Sequence, residues 1–270
     1  GYLKTFALAP LTPGFILQFP RRSNPHQLEK ADRSSRLAAV FSRHNEYMRA
    51  MEVEDVGSLN QAIESKRIRE VMLVAEALHE RRIAEIARQI ADKRNTIRLV
   101  LIAGPSSSGK TTFSKRLSVQ LLAYGLRPMA IEMDNYFVDR KLTPRDAQGD
   151  YDFESFNALD HALFNQHLLE LTEGRAVTMP HYDFKSGTRV TGQTVQISRD
   201  HIIVAEGIHA LNPDLLPDVP AERVYRVYVS ALTQLNIDSH NRIATTDTRL
   251  VRRIARDARL LVIDEEQVRV

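Results

Sequence analysis

Between an apolar run, Ile97–Ala103, and an amphipathic stretch, Lys110–Tyr124, lies Gly104-Pro105-Ser106-Ser107-Ser108-Gly109-Lys110-Thr111, which fits GxxxxGK[ST]. A chance match in a chain of this size is on the order of one in a hundred from ordinary residue usage. The placement after a strand and before a helix is what the chemistry needs. The glycines let the backbone curl until its N–H groups converge on phosphate oxygens. The helix N-terminus adds the positive end of its dipole. Lys110 is expected to reach the β- and γ-phosphates, the Thr111 hydroxyl to ligate Mg²⁺, and Thr112 to complete the loop. A Gly/Ser-rich turn with an exposed lysine is the plainer alternative.

This motif fixes a strand–loop–helix unit, and the rest of the chain repeats the alternation. Strands are expected at Pro128–Met133, Ile202–Ala205 and Val224–Val229, and helices at Asn157–Thr172 and Thr246–Arg259. Thr188–Ile197 resembles a hairpin. Such alternation predicts an α/β fold with a mostly parallel sheet flanked by helices. A smaller α+β N-terminal region precedes it. That region holds a turn at Leu11–Gly14, a short strand at Phe15–Phe19, a helix from Ser34 to Met51 and a second capped by Ser58. A connecting helix, Arg67–Arg94, closes it. The predicted domains are therefore 1–94 and 95–270.

Composition narrows the function. With no cysteine, disulfide scaffolds, thiolate zinc sites and cysteine nucleophiles are excluded. No apolar run reaches the ~18 residues of a membrane span, and no signal-peptide pattern opens the chain, so a cytoplasmic protein is expected. The net charge of +3 does not argue for nucleic acid. The sequence leaves a homo-oligomer open.

Two acids stand at the ends of predicted strands, Glu206 in HIIVAEG and Asp134 in AIEMD. In parallel sheets the C-terminal strand ends face the ligand, so either carboxylate can meet a metal. Each can also be a solvated strand-end acid or, for Asp134, a helix cap. Arg249, Arg252, Arg253, Arg256 and Arg259 fall within an arc of about 120° on a helix. Leu250, Val251, Ile254, Ala255 and Ala258 are expected to form its core face. The arginine fork suits phosphate oxygens. A nucleic-acid stripe or ion pairs to another domain remain as alternatives.

From about Arg98 to Arg259 the chain resembles the uridine kinase and phosphoribulokinase family of P-loop kinases. The resemblance rests on GPSSSGKTT (104–112), DNYF (134–137), YDFES (151–155), PHYDF (180–184), IIVAEGI (202–208) and DTRLVRRIARD (247–257). It implies ATP as phosphate donor, with Asp134 as the base for the acceptor hydroxyl and Lys110 and Arg253 beside the transferred group. Thr111, Glu206 and Asp134 would face Mg²⁺. Nucleotide binding falls to Gly104 through Thr112 and to Arg256. The acceptor would meet Glu154, Tyr182, Phe184 and Arg253.

Three departures stand out. Where the family has a base-reading histidine this chain has Gly187, so weaker base selection is expected. A polar insert, Thr233–Arg242, precedes the arginine helix. Leu260–Val270 does not match the family's lid, and the last sheet strand is missing from the pattern. Residues 1–94 resemble the region preceding the kinase in longer bacterial uridine-kinase-like proteins, which is similar to threonyl-tRNA synthetase N-terminal domains. The paired editing histidines are absent, and neither zinc nor editing is expected. The first functional reading is phosphorylation of a nucleoside, uridine to UMP. The alternatives are a kinase for a sugar phosphate or another nucleoside, and a nucleotide-binding regulator or RNA-binding module.

Overall fold

The computed structural model describes residues 5–11, 14–21, 23–28, 36–231, 235–238 and 240–255. Contacts divide the chain into two compact units, residues 1–71 with 233–243, and 72–232 with 244–270.

In the first unit, β1 (Ala7–Pro10) pairs antiparallel with β2 (Phe15–Gln18), Leu8 standing opposite Leu17. The sequence pattern predicts the strand at 15–18 but not its partner. Helix α1 spans Arg36–Ala50, and the expected cap Ser34 lies outside the described residues. Helix α2 (Val56–Glu64) is capped by Asp55 rather than Ser58. Asp55 accepts from the Ser58 amide at 2.7 Å, while the Ser58 hydroxyl accepts from the Asp55 amide at 2.9 Å. Both residue types make good caps, and the reciprocal pair places the helix start a turn earlier. Asn236 in the polar insert joins this unit through its carbonyl, which accepts from the Val56 amide at 3.0 Å.

Helix α3 (Ile68–Asp92) runs across the division between the units. Its second half buries Ile83, Ile86, Ala87, Ile90 and Ala91. These side chains share a core with Val100, Ile102, Phe113, Leu117 and Leu121. Contacts therefore assign residues 72–94 to the second unit.

That unit is built on β3 (Leu99–Ala103), α4 (Lys110–Ala123), β4 (Arg127–Glu132), α5 (His161–Thr172), the hairpin β5 (Val177–Asp183) and β6 (Thr188–Val195), β7 (His201–Gly207) and β8 (Val224–Tyr228). A last helix, α6, covers residues 245–255. Four strands form a parallel sheet in the order β4-β7-β3-β8. Alternation along the strands feeds two cores. Leu99, Leu101, Ile203 and Ala205 meet Phe164, Leu168 and Leu171 of α5 on one face. Val100, Ile102, Ile202 and Val204 meet α3 and α4 on the other. This is the expected α/β layering.

Two boundaries differ from the sequence expectation for local reasons. Helix α5 begins at His161 because Asp160 caps it, accepting from the Leu163 amide at 3.1 Å, and Phe156–Ala158 is only a 3₁₀ turn. Thr188–Val195 is one arm of the hairpin, paired with Val177–Asp183, rather than a hairpin by itself.

Candidate active site

The parallel register sets three strand ends side by side. Ala103 pairs with Gly207, Ile102 with Glu206, and Glu132 with Glu206. The chain leaves β3 through Gly104, where a Cβ would collide with the Val229 carbonyl and crowd the Ser108 hydroxyl. Only glycine fits there. Ser107 holds a left-handed conformation at φ 59° and Gly109 one at φ 98°, and α4 starts at once with no side-chain cap. Its first N–H groups therefore point at open space. The Ser107 and Ser108 hydroxyls are buried without a hydrogen-bond partner among the described residues. Strained backbone, uncapped helix and orphaned hydroxyls together fit a bound phosphate chain.

Above this loop lies a cleft of about 840 Å³, lined among others by Lys110, Thr111, Thr112, Glu132, Asp134, Glu206 and Arg252. Lys110 Nζ donates to the Pro105 carbonyl at 3.2 Å. Burial holds its pKa below the ordinary lysine value, while Glu206 and Asp134 pull the other way. Glu206 stands at the end of β7, where the neighbouring Thr111 side chain and Lys110 favour its ionised form. Burial nevertheless raises its pKa above the usual carboxylate value. Asp134 sits in the 3₁₀ turn Met133–Tyr136 that follows β4. It opens onto the cleft, yet the surrounding protein desolvates it and raises its pKa, with Lys110 opposing and Glu132 adding repulsion.

Helix α6 meets the loop with its cationic side. Arg249 Nε donates to the Ser106 carbonyl at 3.0 Å and Arg252 Nε to the Ser107 carbonyl at 3.3 Å. The expected apolar core face is not buried here. Leu250 is 59% exposed, Val251 64% and Ile254 59%. The helix is held by arginine-to-carbonyl bonds instead. Arg253 lies on α6 but does not line the cleft. Arg256 and Arg259 lie outside the described residues.

The residues assigned to the acceptor are more dispersed. Glu154 is exposed in the loop before α5, its amide held by Asp152 Oδ1 at 3.0 Å. Tyr182 is only 1% exposed. Its ring packs edge-on against Phe137 and Phe184, with centroids 5.7 and 5.1 Å away, and its hydroxyl has no hydrogen-bond partner among the described residues. Phe184 is exposed. Gly187 ends the hairpin turn at φ 70°, where a Cβ would come within 2.6 Å of the Arg140 guanidinium. Arg140 Nη2 donates to the Phe184 carbonyl at 2.6 Å.

Sequence reasoning misses two residues. Glu132 reaches the cleft two positions before Asp134, and its strand-end position is the available signal. His209, three residues after Glu206, stands in the electrostatic field of Asp134, Glu154 and Asp152. No sequence feature singles it out.

Strand ends, phosphate loop and facing carboxylates define a P-loop α/β nucleotide-site protein. The sequence profile of the Phosphoribulokinase / Uridine kinase family matches residues 99–260, more than half of the chain, and the chain belongs to that family. A uridine kinase of Staphylococcus aureus (strain JH9) is 29% identical over 161 residues, covering 60% of this chain and 69% of that protein. Inorganic pyrophosphatase TTM2 of Arabidopsis thaliana is 34% identical over 128 residues, 47% of this chain and 18% of that protein. The chain thus spans less than a fifth of that relative. A solved structure of a possible uridine kinase from Bacillus stearothermophilus is 25% identical with a TM-score of 0.42, covering 53% of this chain and 79% of that one. No helix among the described residues is long and apolar enough to cross a membrane.

Proposed function

We propose that the chain transfers the terminal phosphoryl group of ATP to the hydroxyl of a nucleoside, uridine first among them. The observation that carries this reading is the convergence of Lys110, Thr111, Asp134 and Glu206 on one cleft above a strained, uncapped phosphate loop. Magnesium fits the donor set. Thr111, Glu206 and Asp134 all line the same cleft. Mg²⁺ in such sites is held by one or two carboxylates with substrate phosphates, and when bound it neutralises charge on the transferring group.

The chain's own groups divide the remaining work. Loop amides and the α4 N-terminus hold the phosphates. Lys110 supplies positive charge where the transferred group gains negative charge. Asp134 takes the acceptor's hydroxyl proton. Burial lifts that carboxyl above its ordinary value, which makes its ionised form a stronger base. Arg252 adds charge from α6.

The test is ADP release from MgATP with a panel of nucleosides, sugar phosphates and water alone. Release that depends on a nucleoside and is lost in a folded Lys110→Ala variant supports the reading. Release with a sugar phosphate only moves the acceptor class. Release that is as fast with water alone as with any acceptor sinks it.

A further inference from the structure

The Tyr151–Ser155 segment carries Glu154 on a turn held by its own Asp152 bonds, by a bridge from Tyr151 to Arg145 and by the ring of Phe153 against Phe137 at 5.9 Å. The Asp152 amide donates to the Pro144 carbonyl at 2.8 Å, and Asp152 Oδ1 accepts from the Glu154 and Ser155 amides at 3.0 and 3.1 Å. These bonds shape the turn without tying it to the sheet that presents Glu206. His209 makes that tie. It leaves β7 just beyond Gly207, whose Cα packs so closely on Met133 that a Cβ would come within 2.6 Å of the Met133 sulfur. The β7 exit is thereby locked to the turn bearing Asp134. From this anchor His209 Nε2 meets the Ser155 carbonyl at 3.2 Å, and its ring meets Phe156 edge-on at 5.4 Å. Phe156 in turn stacks on His161 at the start of α5, centroids 4.6 Å apart.

We propose that His209 is a positioning residue, pinning the Asp152–Ser155 turn to the end of β7 and so fixing where that turn presents Glu154 to an acceptor in the Asp134 cleft. This rests on reading that cleft as a kinase site. The carbonyl of Ser155 can only accept, so Nε2 carries the proton. The ring stands among three carboxylates, Asp134, Glu154 and Asp152. Burial nevertheless keeps its pKa below the ordinary histidine value, which favours a neutral donor. The neutral ring does not quench the charge of Asp134, and it holds the turn through geometry.

The experiment compares His209→Ala, His209→Gln and unmodified protein. Two readouts are taken, amide exchange across residues 152–158 and the KM values for acceptor and ATP. A glutamine amide can replace the Nε2–H donor. Expected for His209→Ala are faster exchange confined to that turn and an acceptor KM raised about tenfold, the scale of one lost hydrogen bond. The KM for ATP should stay within about twofold, because no part of the phosphate loop is touched. Glutamine should restore most of both effects. Unchanged exchange in His209→Ala overturns the proposal, as does an equal rise in both KM values. If unmodified protein phosphorylates no nucleoside, the kinase reading fails, and exchange alone still decides whether His209 pins the turn.

Discussion

At the scale of single residues, the cleft holds charges that the fold would be more stable without. The Asp134 carboxyl titrates above its ordinary value because burial disfavours its ionised form. In the unfolded chain it ionises first. Its contribution to stability is therefore complete below about pH 4 and is lost as pH rises through the raised folded value. Above that raised value the native protein carries a buried carboxylate that costs stability. Asp134→Asn is expected to raise Tm at pH 7 in the absence of nucleotide, with the gap closing towards pH 4. The same variant should lower kcat by roughly 10²-fold or more, the scale of a lost general base, while nucleotide still binds. Paired thermal melts and ADP-release kinetics check both halves. A variant that turns over normally would send the search for the base to Glu154. Glu206→Gln should shift Tm in the same direction, since burial lifts that carboxyl too. Its activity loss should be accompanied by weaker Mg²⁺ dependence.

At the scale of elements, the hairpin shows what one sequence makes legible and what it hides. Apolar runs and flanking glycines are enough to locate β3, α4, β7 and β8 within a residue or two. The first arm of the hairpin escapes the pattern because Pro180 interrupts it, and proline reads as a strand breaker. In the structure the pairing slips between Thr178 and Pro180, which accommodates the proline. The core face of α6 differs from its periodicity for another reason. Periodicity reports which side chains are apolar, but the bonds from Arg249 and Arg252 to loop carbonyls decide which side docks. Glu132 carries a strand-end signal but only the strand register sets it beside Glu206, and His209, brought in by a turn, carries no signal at all. Gly187 gives the testable case at this scale. Its φ of 70°, and an Arg140 guanidinium only 2.6 Å from where a Cβ would sit, leave no room for a side chain. Gly187→His cannot install a base-reading group without disturbing the turn. Gly187→Ala is expected to lose about 1–3 kcal/mol in urea unfolding, the cost of a strained backbone. Adding Arg140→Ala should recover the steric part and leave the backbone part. Full stability in Gly187→Ala would show that the turn relaxes freely.

At the scale of the whole molecule, the question is which residues make a folding unit. The second half of α3 has no separate existence in the core. Ile83 and Ile90 are fully buried against strands and helix α4, and Arg116 of α4 forms an ion pair with Glu80 at 2.8 Å. Gln120 adds a hydrogen bond to Glu80 at 2.6 Å, and the Tyr225 hydroxyl one to Gln89 at 2.6 Å. The surface ion pair is worth little, about 0–1 kcal/mol. The apolar contacts decide, because removing one buried isoleucine side chain to alanine costs roughly 2–5 kcal/mol. Starting the chain at residue 95 removes five buried apolar side chains of α3 at once. It also uncovers Val100, Ile102, Phe113 and Leu117, which are buried in that cluster. Domains have only about 5–15 kcal/mol of stability to lose. A protein starting at Met72 should therefore melt cooperatively, and one starting at Asn95 should aggregate or melt without a transition. Ile90→Ala in the full chain should fall between them, with a lowered Tm and an intact fold by circular dichroism. If the chain starting at Asn95 melts at the same temperature as the one starting at Met72, α3 is only a strap laid over a finished core. Loss of structure in both would instead mean that residues 1–71 are needed for the second unit to fold.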